Sequence, residues 1–318
     1  MISVDYKNQK DTRSGFGAGI LEAGRENENI VALCADLVGS LKLDAFIKEF
    51  PERFFQTGIA EANMMGIAAG LTIGGKIPFA CTFANFATGR VYDQIRQSIA
   101  YSNKNVKIAA SHAGVTLGED GATHQILEDI GLMQMLPGFV VINPCDYNQT
   151  RAATIAAAKH NGPVYLRFGR PKWPLFTPAD QQFEIGKAVK MQDGTDVTIF
   201  ATGHLMLKAI EAASILQEKN ISVELINIHT IKPLDTEAVL HSIRKTKCAV
   251  TAEEHQVLGG LGSAIANTLA QYHPAPIEFV GVHDKFGESG TTEQLLAKYG
   301  MSTQHVVDAA IKVISRKG

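Results

Sequence analysis

The sequence has no CxxC pair. Its four cysteines, Cys34, Cys81, Cys145 and Cys248, stand far apart in a chain of 318 residues. That spacing excludes a cysteine-based zinc site and a disulfide frame, and it is what reduced thiols in a cytoplasmic protein look like. There is no excess of positive charge either. Thirty Lys and Arg against 32 Asp and Glu leave a net charge of −2, scattered along the chain, so the basic face of a nucleic-acid binder is missing. No apolar run reaches the roughly 18 residues that a membrane span needs. The opening MISVDYKNQKDTR is polar and holds no signal-peptide core. Aromatic residues are scarce at 7% while glycines number 29, which favours close helix–sheet contacts in an α/β protein over a β-sandwich. There is neither an internal repeat nor a low-complexity tract.

What the chain does have is 45% apolar and 19% charged residues, a globular composition and length for two domains of about 150 residues. Short, branched, apolar runs at Ile30–Cys34, Ile77–Thr82, Val106–Ala110, Phe139–Ile142 and Val164–Phe168 are expected as buried strands. Helical patterns separate them, from the region of Glu61 to Gly74, then Asn85–Tyr101, Gln125–Met135 and Asn148–Lys159. This is the rhythm of a parallel sheet covered on both faces. The stretch from Arg170 to Pro178 then holds three prolines and cannot continue a helix or a central strand. A second unit repeats the rhythm, with strands at Val197–Ala201, Val223–Asn227, Ala249–Ala252 and Glu278–Val282. Helices are expected near His204–Lys219, Thr236–Lys245, Gly260–Tyr272, Thr292–Lys298 and Thr303–Ser315. The fold class is therefore α/β, two doubly wound domains, 1–172 and 189–318, joined by a linker over 173–188.

One expected helix, starting at Glu61, has almost no polar face, and Gly66 and Gly70 sit four apart on one side of it. It is either a tight subunit interface or a central core helix. Four segments carry chemistry. Glu61 opens the apolar helix, where a carboxylate can merely complement the dipole or serve a site. Phe83 and Phe86 follow a strand end, in core or ready to stack on a planar ring. Ser111–His124 packs two histidines, two acids and three glycines into one loop, as a polar surface loop or as a site. Arg170 ends the first domain, as a surface ion pair or an anion fork.

The strings GIAEANMMGIAAGL, KIPFACTFANF and SHAGVTLGEDGATHQ, in that order, resemble the pyrimidine-binding domain of transketolases. EEHQVLGGLGSAIA and DKFGESGTTEQLLAKYGM resemble the C-terminal domain of the same thiamine-diphosphate superfamily. No Gly-Asp-Gly motif for Mg²⁺ and diphosphate is present. The resemblance thus implies the C-terminal section of a split transketolase, completed by an N-terminal partner chain in an α2β2 heterotetramer. It implies thiamine diphosphate as cofactor, with Mg²⁺ held mainly by the partner and no metal ligand in this chain. The implied activity is transfer of a two-carbon ketol unit from a ketose phosphate, or a similarly anionic ketose, to an aldose phosphate.

Residue by residue, the resemblance makes Glu61 the catalytic acid at N1′ of the aminopyrimidine, carrying or sharing a proton there. Phe86 is the stacking ring, Phe83 lines the pocket, and Asp36 lies near the pyrimidine. The third aromatic of the family is replaced by Gly89. Ser40, His112 and Arg170 match the phosphate-holding groups. Asp120 matches the reader of a substrate hydroxyl, and His124 a substrate-oxygen ligand or proton carrier. His255 is expected to be structural. Alternatives of the same superfamily are a deoxyxylulose-phosphate synthase-like or a 2-oxoacid dehydrogenase β-like subunit; outside it, a non-catalytic interaction subunit.

Overall fold

Apolar runs too short for helices become the cores of two sheets. The structure, a computed structural model, describes residues 2–317. In chain order its strands are β1 (Asp5–Asp11), β2 (Ile30–Cys34), β3 (Phe54–Gln56), β4 (Ile77–Phe83), β5 (Lys107–Ser111), β6 (Val140–Ile142) and β7 (Val164–Arg167). There follow β8 (Lys172–Leu175), β9 (Val189–Gln192), β10 (Val197–Ala201), β11 (Val223–Asn227), β12 (Thr230–Lys232), β13 (Ala249–Gln256) and β14 (Ile277–Val282). The first sheet has the order β12-β6-β7-β5-β4-β2-β3 and the second β14-β13-β10-β11-β9. Strands β2 to β7 run parallel, as do β10, β11, β13 and β14. Helices cover both sheets, so the α/β expectation holds.

The first sheet does not end with the first half of the chain. Its edge strand β12 comes from the second half and pairs antiparallel with β6. Lys232 fixes it there, its Nζ donating to the carbonyls of Gln134 and Leu136, where a short helix ends and a cation is favoured.

Several elements depart from the expected pattern for physical reasons. The helix Thr12–Glu26 has no clear pattern in the sequence, because it contains four glycines, each costly in a helix. They are packing residues: a Cβ on Gly19 would stand 2.7 Å from the Cβ of Thr154, so the neighbouring helix Tyr147–Lys159 can approach closely. Asp11 caps the glycine-rich helix by accepting the N–H of Ser14. Asn85–Tyr101 is not one helix. It breaks into an α turn at Ala84–Ala87, a 3₁₀ turn at Gly89–Val91, a second α turn at Tyr92–Gln94 and a π segment at Ile95–Ala100, with Thr88 off helical geometry (φ −127°, ψ −77°). Only Asp129–Gln134 of the expected Gln125–Met135 is helical, since the side-chain amide of Gln125 bonds to the carbonyls of Val115, Gly118 and Glu288 and holds its own segment irregular.

The proline-rich segment after Arg170 is ordered. β8 pairs with β1 in a two-stranded ribbon, a setting that tolerates proline. The buried carboxylate of Asp146 then accepts the N–H groups of Phe176 and Thr177 at 3.0 and 2.9 Å. The strand expected at Ala249–Ala252 continues as far as Gln256. Its polar tail, Glu253, Glu254 and His255, is buried: Glu253 turns back on Leu261 and Gly262, whereas Glu254 and His255 meet Thr116 and Gly131 of the first domain.

Candidate functional site

Because β2, β3, β4, β5 and β7 are parallel, the segments that follow them leave the sheet along one edge, the carboxyl edge where α/β proteins bind ligands. Asp36 and Ser40 follow β2, Glu61 follows β3, Phe86 follows β4, His112 to His124 follow β5, and Arg170 follows β7. Residues spread over more than a hundred positions are thereby gathered at one place.

Glu61 is the first residue of the helix Glu61–Ile73 and is only 4% exposed. Its Oε1 accepts from Nη1 of Arg90 at 3.0 Å. The same guanidinium lies over the ring of Phe86 at 4.0 Å, although the Arg90 side chain is itself 48% exposed. Phe83 stacks on Phe86 (centroids 5.7 Å apart) and on the imidazole of His112 (3.8 Å). The aromatics therefore form a continuous stack, His112–Phe83–Phe86, closed by the edge of His124 at 5.4 Å. A planar, hydrogen-bonding group fits between the Phe86 face and Glu61, as Arg90 demonstrates. An aminopyrimidine has that planar shape, and its ring nitrogen would meet Glu61 as an acceptor where Arg90 is a donor.

His112 takes a left-handed backbone conformation, φ +60°, uncommon for a non-glycine residue and a form of strain that collects at functional sites. Its Nδ1 is 2.8 Å from Oγ of Ser111. Burial pushes its pKa down to about 3, helped by the charges of Arg13, Arg170, His124 and Lys42. The imidazole is thus neutral at ordinary pH, surrounded by cations. Arg13 was not singled out in the sequence. It sits in the first turn of the glycine-rich helix, pairs with Asp11 at 3.1 Å and donates to the carbonyl of Ser40 at 3.5 Å. Burial lowers its pKa, and the repulsion of Arg170 adds to that. Arg170 thus disfavours charge on both Arg13 and His112, and the cluster forms a place for an anion. The only signal for Arg13 was an Asp-Thr-Arg string ahead of a poorly helical stretch.

Arg170 is held by two acceptors, the carbonyl of Leu117 at 2.7 Å and the carboxylate of Glu119 at 2.9 Å. The structure shows the surface ion pair with Glu119, an exposed and replaceable partner. Asp120 is exposed, and His124 is half-buried, its Nδ1 3.0 Å from Oγ1 of Thr123. Asp36 stands at the exposed end of β2, φ +58°, its N–H bound to Gln56. His255 donates or accepts only within the protein: its Nε2 accepts the N–H of Gly131 at 3.3 Å and its Nδ1 is 2.7 Å from the carbonyl of Gln256.

The apolar helix is not a core helix of this chain. Met64, Met65, Ala68 and Ala69 are buried, but Ala62, Asn63, Gly66, Ile67 and Gly70 are exposed, with Ile73 at 78% and nearby Ile59 at 76%. A Cβ on Gly66 or Gly70 would meet nothing. This uncovered apolar face adjoins Glu61.

Comparison with known proteins agrees with this geometry. Residues 8–174 match the transketolase pyrimidine-binding domain and residues 186–306 the transketolase C-terminal domain. A Methanocaldococcus jannaschii protein named, provisionally, a transketolase C-terminal section is 43% identical over 97% of this chain and 98% of its own. A 6-deoxy-6-sulfo-D-fructose transketolase subunit of Clostridium sp. (strain MSTE9) is 44% identical over 94% of this chain and 92% of its own. A solved split-gene transketolase, in the form of an inactive beta4 tetramer, is 48% identical with a TM-score of 0.92, covering 97% of this chain and 99% of that one.

Proposed function

Since the chain belongs to the transketolase family, among the chains that form its C-terminal section, we propose that it is the C-terminal subunit of a two-chain, thiamine-diphosphate-dependent transketolase. It moves a two-carbon ketol unit from an anionic ketose to an aldose phosphate, in a complex with an N-terminal subunit. The observation that carries this reading is the slot between Glu61 and Phe86, which opens beside an apolar helix face that the chain itself does not cover. A partner seated on that face closes the slot and supplies the diphosphate and Mg²⁺ ligands. The α2β2 stoichiometry follows if two such pairs associate. The relative that forms a beta4 tetramer and is inactive in that form fits a subunit that self-associates when its partner is missing. Four free, buried cysteines suit a cytoplasmic setting.

When bound, thiamine diphosphate supplies a nucleophilic ring carbon and an electron sink for breaking a bond beside a ketone. This chain does the rest of its share through fixed groups. Arg90 leaves the slot, and Glu61 holds a proton toward N1′ of the pyrimidine. Phe86 stacks on that ring, an arrangement worth about 0.5–1.5 kcal/mol beyond area burial, while Phe83 braces Phe86 from behind. Ser40, His112, Arg170 and Arg13 hold the terminal anion of the sugar. A neutral His112 offers one N–H, and an anion beside it raises its pKa, tightening the contact. Asp120 reads a sugar hydroxyl and His124 binds or protonates a substrate oxygen.

The cation set also accepts a terminal sulfonate, since a guanidinium binds either oxyanion and charge alone does not reject it. The sulfo-sugar relative favours that as a second reading. The test is an affinity pull-down of the tagged chain from its native lysate. The eluate is assayed for thiamine-diphosphate-dependent transfer from xylulose 5-phosphate to ribose 5-phosphate. A co-purified second chain with that activity supports the proposal. A partner without it, active on a sulfonated ketose, selects the second reading. No partner makes the non-catalytic alternative the better one.

A further inference from the structure

The C-terminal domain contributes no residue to the site just described, yet it grips the loop that carries most of it. Thr116 lies midway between His112 and Asp120. Its N–H donates to Oε1 of Glu254 at 2.6 Å, and its carbonyl accepts from Oγ1 of Thr292 at 3.4 Å. Both backbone groups of this one residue are thus held from the other domain. A third tie follows a few residues on, where Gln125 donates to the carbonyl of Glu288 at 2.9 Å.

Glu254 is 3% exposed and reaches the loop only because residue 114 is glycine: a Cβ there would lie 2.2 Å from Oε1. Arg167 steadies the acid's own backbone, its Nη2 donating to the Glu254 carbonyl at 2.8 Å while Nε pairs with Asp129 at 2.7 Å. Burial pushes the Glu254 carboxyl up to about 7, opposed by Arg167 and the Thr116 N–H. The neighbours of Glu254 in sequence are committed elsewhere. Glu253 accepts the N–H groups of Leu261 and Gly262, both at 2.7 Å, and His255 holds Gly131.

The residue after Thr116 is Leu117, whose carbonyl accepts from Arg170 at 2.7 Å. The loop is buried from Ser111 to Gly118 and exposed at Glu119 and Asp120, so its outer part depends on where the inner part is fixed. We infer that Glu254 is a positioning residue for the anionic substrate, fixing Thr116 and through it Leu117, Arg170 and the Asp120 segment. The inference rests on the function proposed above.

Two variants separate positioning from plain stabilisation. Glu254→Met keeps length and burial without an acceptor; Glu254→Gln keeps an acceptor without the charge. In the partnered complex, Glu254→Met is expected to lower kcat/KM about 100-fold, the scale of a misplacement near 1 Å, mainly through KM of the phosphorylated sugar. Glu254→Gln should restore activity to within about fivefold of the parent, the worth of a weakened hydrogen bond. Gly114→Ala, which drives the carboxylate out of its seat, should reproduce Glu254→Met and serves if that variant does not fold.

A second readout needs no activity. Amide hydrogen exchange in the isolated chain should quicken in peptides spanning 112–120 for Glu254→Met and stay unchanged over 261–272. Unaltered exchange in the loop, or equal losses for the Met and Gln variants, overturns the inference. Quickened exchange in the isolated chain, with no ketol transfer by the parent complex, instead leaves the anchoring standing and removes the proposed function.

Discussion

The seam between the two domains and the outer face of the helix Glu61–Ile73 each involve a buried glutamate, but they satisfy it differently. At the seam, Glu254 meets a backbone N–H at 2.6 Å and lies beside Arg167, itself paired with a fully buried Asp129. The partners are buried. At the helix face, Glu61 meets a half-exposed arginine that rests on an aromatic ring, and beyond it lie glycines with nothing against them. A buried acid with fixed internal partners has a structural task; one whose partner can swing into solvent is free to exchange it. The chain is complete along the seam and incomplete along the helix.

The largest effect expected on this contrast is at Glu61. Glu61→Gln in the partnered complex should leave assembly intact, judged by size, and reduce turnover about 10²–10⁴-fold, the range for a lost acid–base group; near-normal turnover removes the assigned role. At the seam the same kind of change acts on stability. Arg167→Ala strands Asp129 without its cation and should cost about 3–5 kcal/mol, seen as an early urea midpoint. A midpoint within error of the parent contradicts the account of the seam.

Smaller effects are expected in the anion cluster. Arg13→Ala, His112→Ala and Arg170→Ala should each raise KM for phosphorylated sugars about 10–100-fold, matching about 1.5–3 kcal/mol for a hydrogen bond to a charged group, with kcat little changed. Equal effects on an unphosphorylated donor refute the clamp.

The pH profile of stability probes the same histidine. The pKa of His112 is lowered from 6.5 to about 3, chiefly by burial. Between those values the unfolded chain binds a proton that the folded chain does not, so stability rises with pH across that window. Denaturant midpoints from pH 4 to 7 should climb, and less steeply for His112→Gln; identical slopes would falsify the assignment of a neutral His112. His204 and His229 are also lowered by burial, to about 3 and about 4, and add to the rise, while burial raises Glu253 and Glu254 to about 7 and opposes it above pH 4.5, so the difference in slope between parent and variant is what reports His112. The smallest change in stability is expected for Ile59→Asp beside the open helix face, where the side chain is 76% exposed, within about 0.5 kcal/mol. That variant should nonetheless lose its association with partner or with itself in analytical ultracentrifugation.

How much of this was legible in the sequence depends on where the signal resides. β2, β4, β5 and β10 are mainly apolar runs buried along nearly their whole length, and such runs read directly as parallel strands. β1 is exposed at every residue but the last, so its only reason to be a strand is its partner β8, a tertiary fact. The helix Thr12–Glu26 was hidden by glycines chosen for contact, not propensity, and Arg13 was hidden with it. Glu61, Phe83, Phe86, His112 and Arg170 were legible because a string of neighbours resembled a family. Their convergence is a product of strand order, which residue spacing does not display. Arg90 in the slot could not be read at all, because the slot exists only once three separate segments have met.

The strand β12 has a consequence for how such chains can be recombined. The first sheet is closed on one side by three residues from the second half, Thr230–Lys232. A chimera joined at the apparent linker would take that strand from a foreign sequence, or lose it. In the latter case β6 would present a row of unpaired N–H and C=O groups to solvent, a template for edge-to-edge aggregation. The unit that can be exchanged without harm is therefore not the stretch of sequence before the linker, but that stretch together with its distant edge.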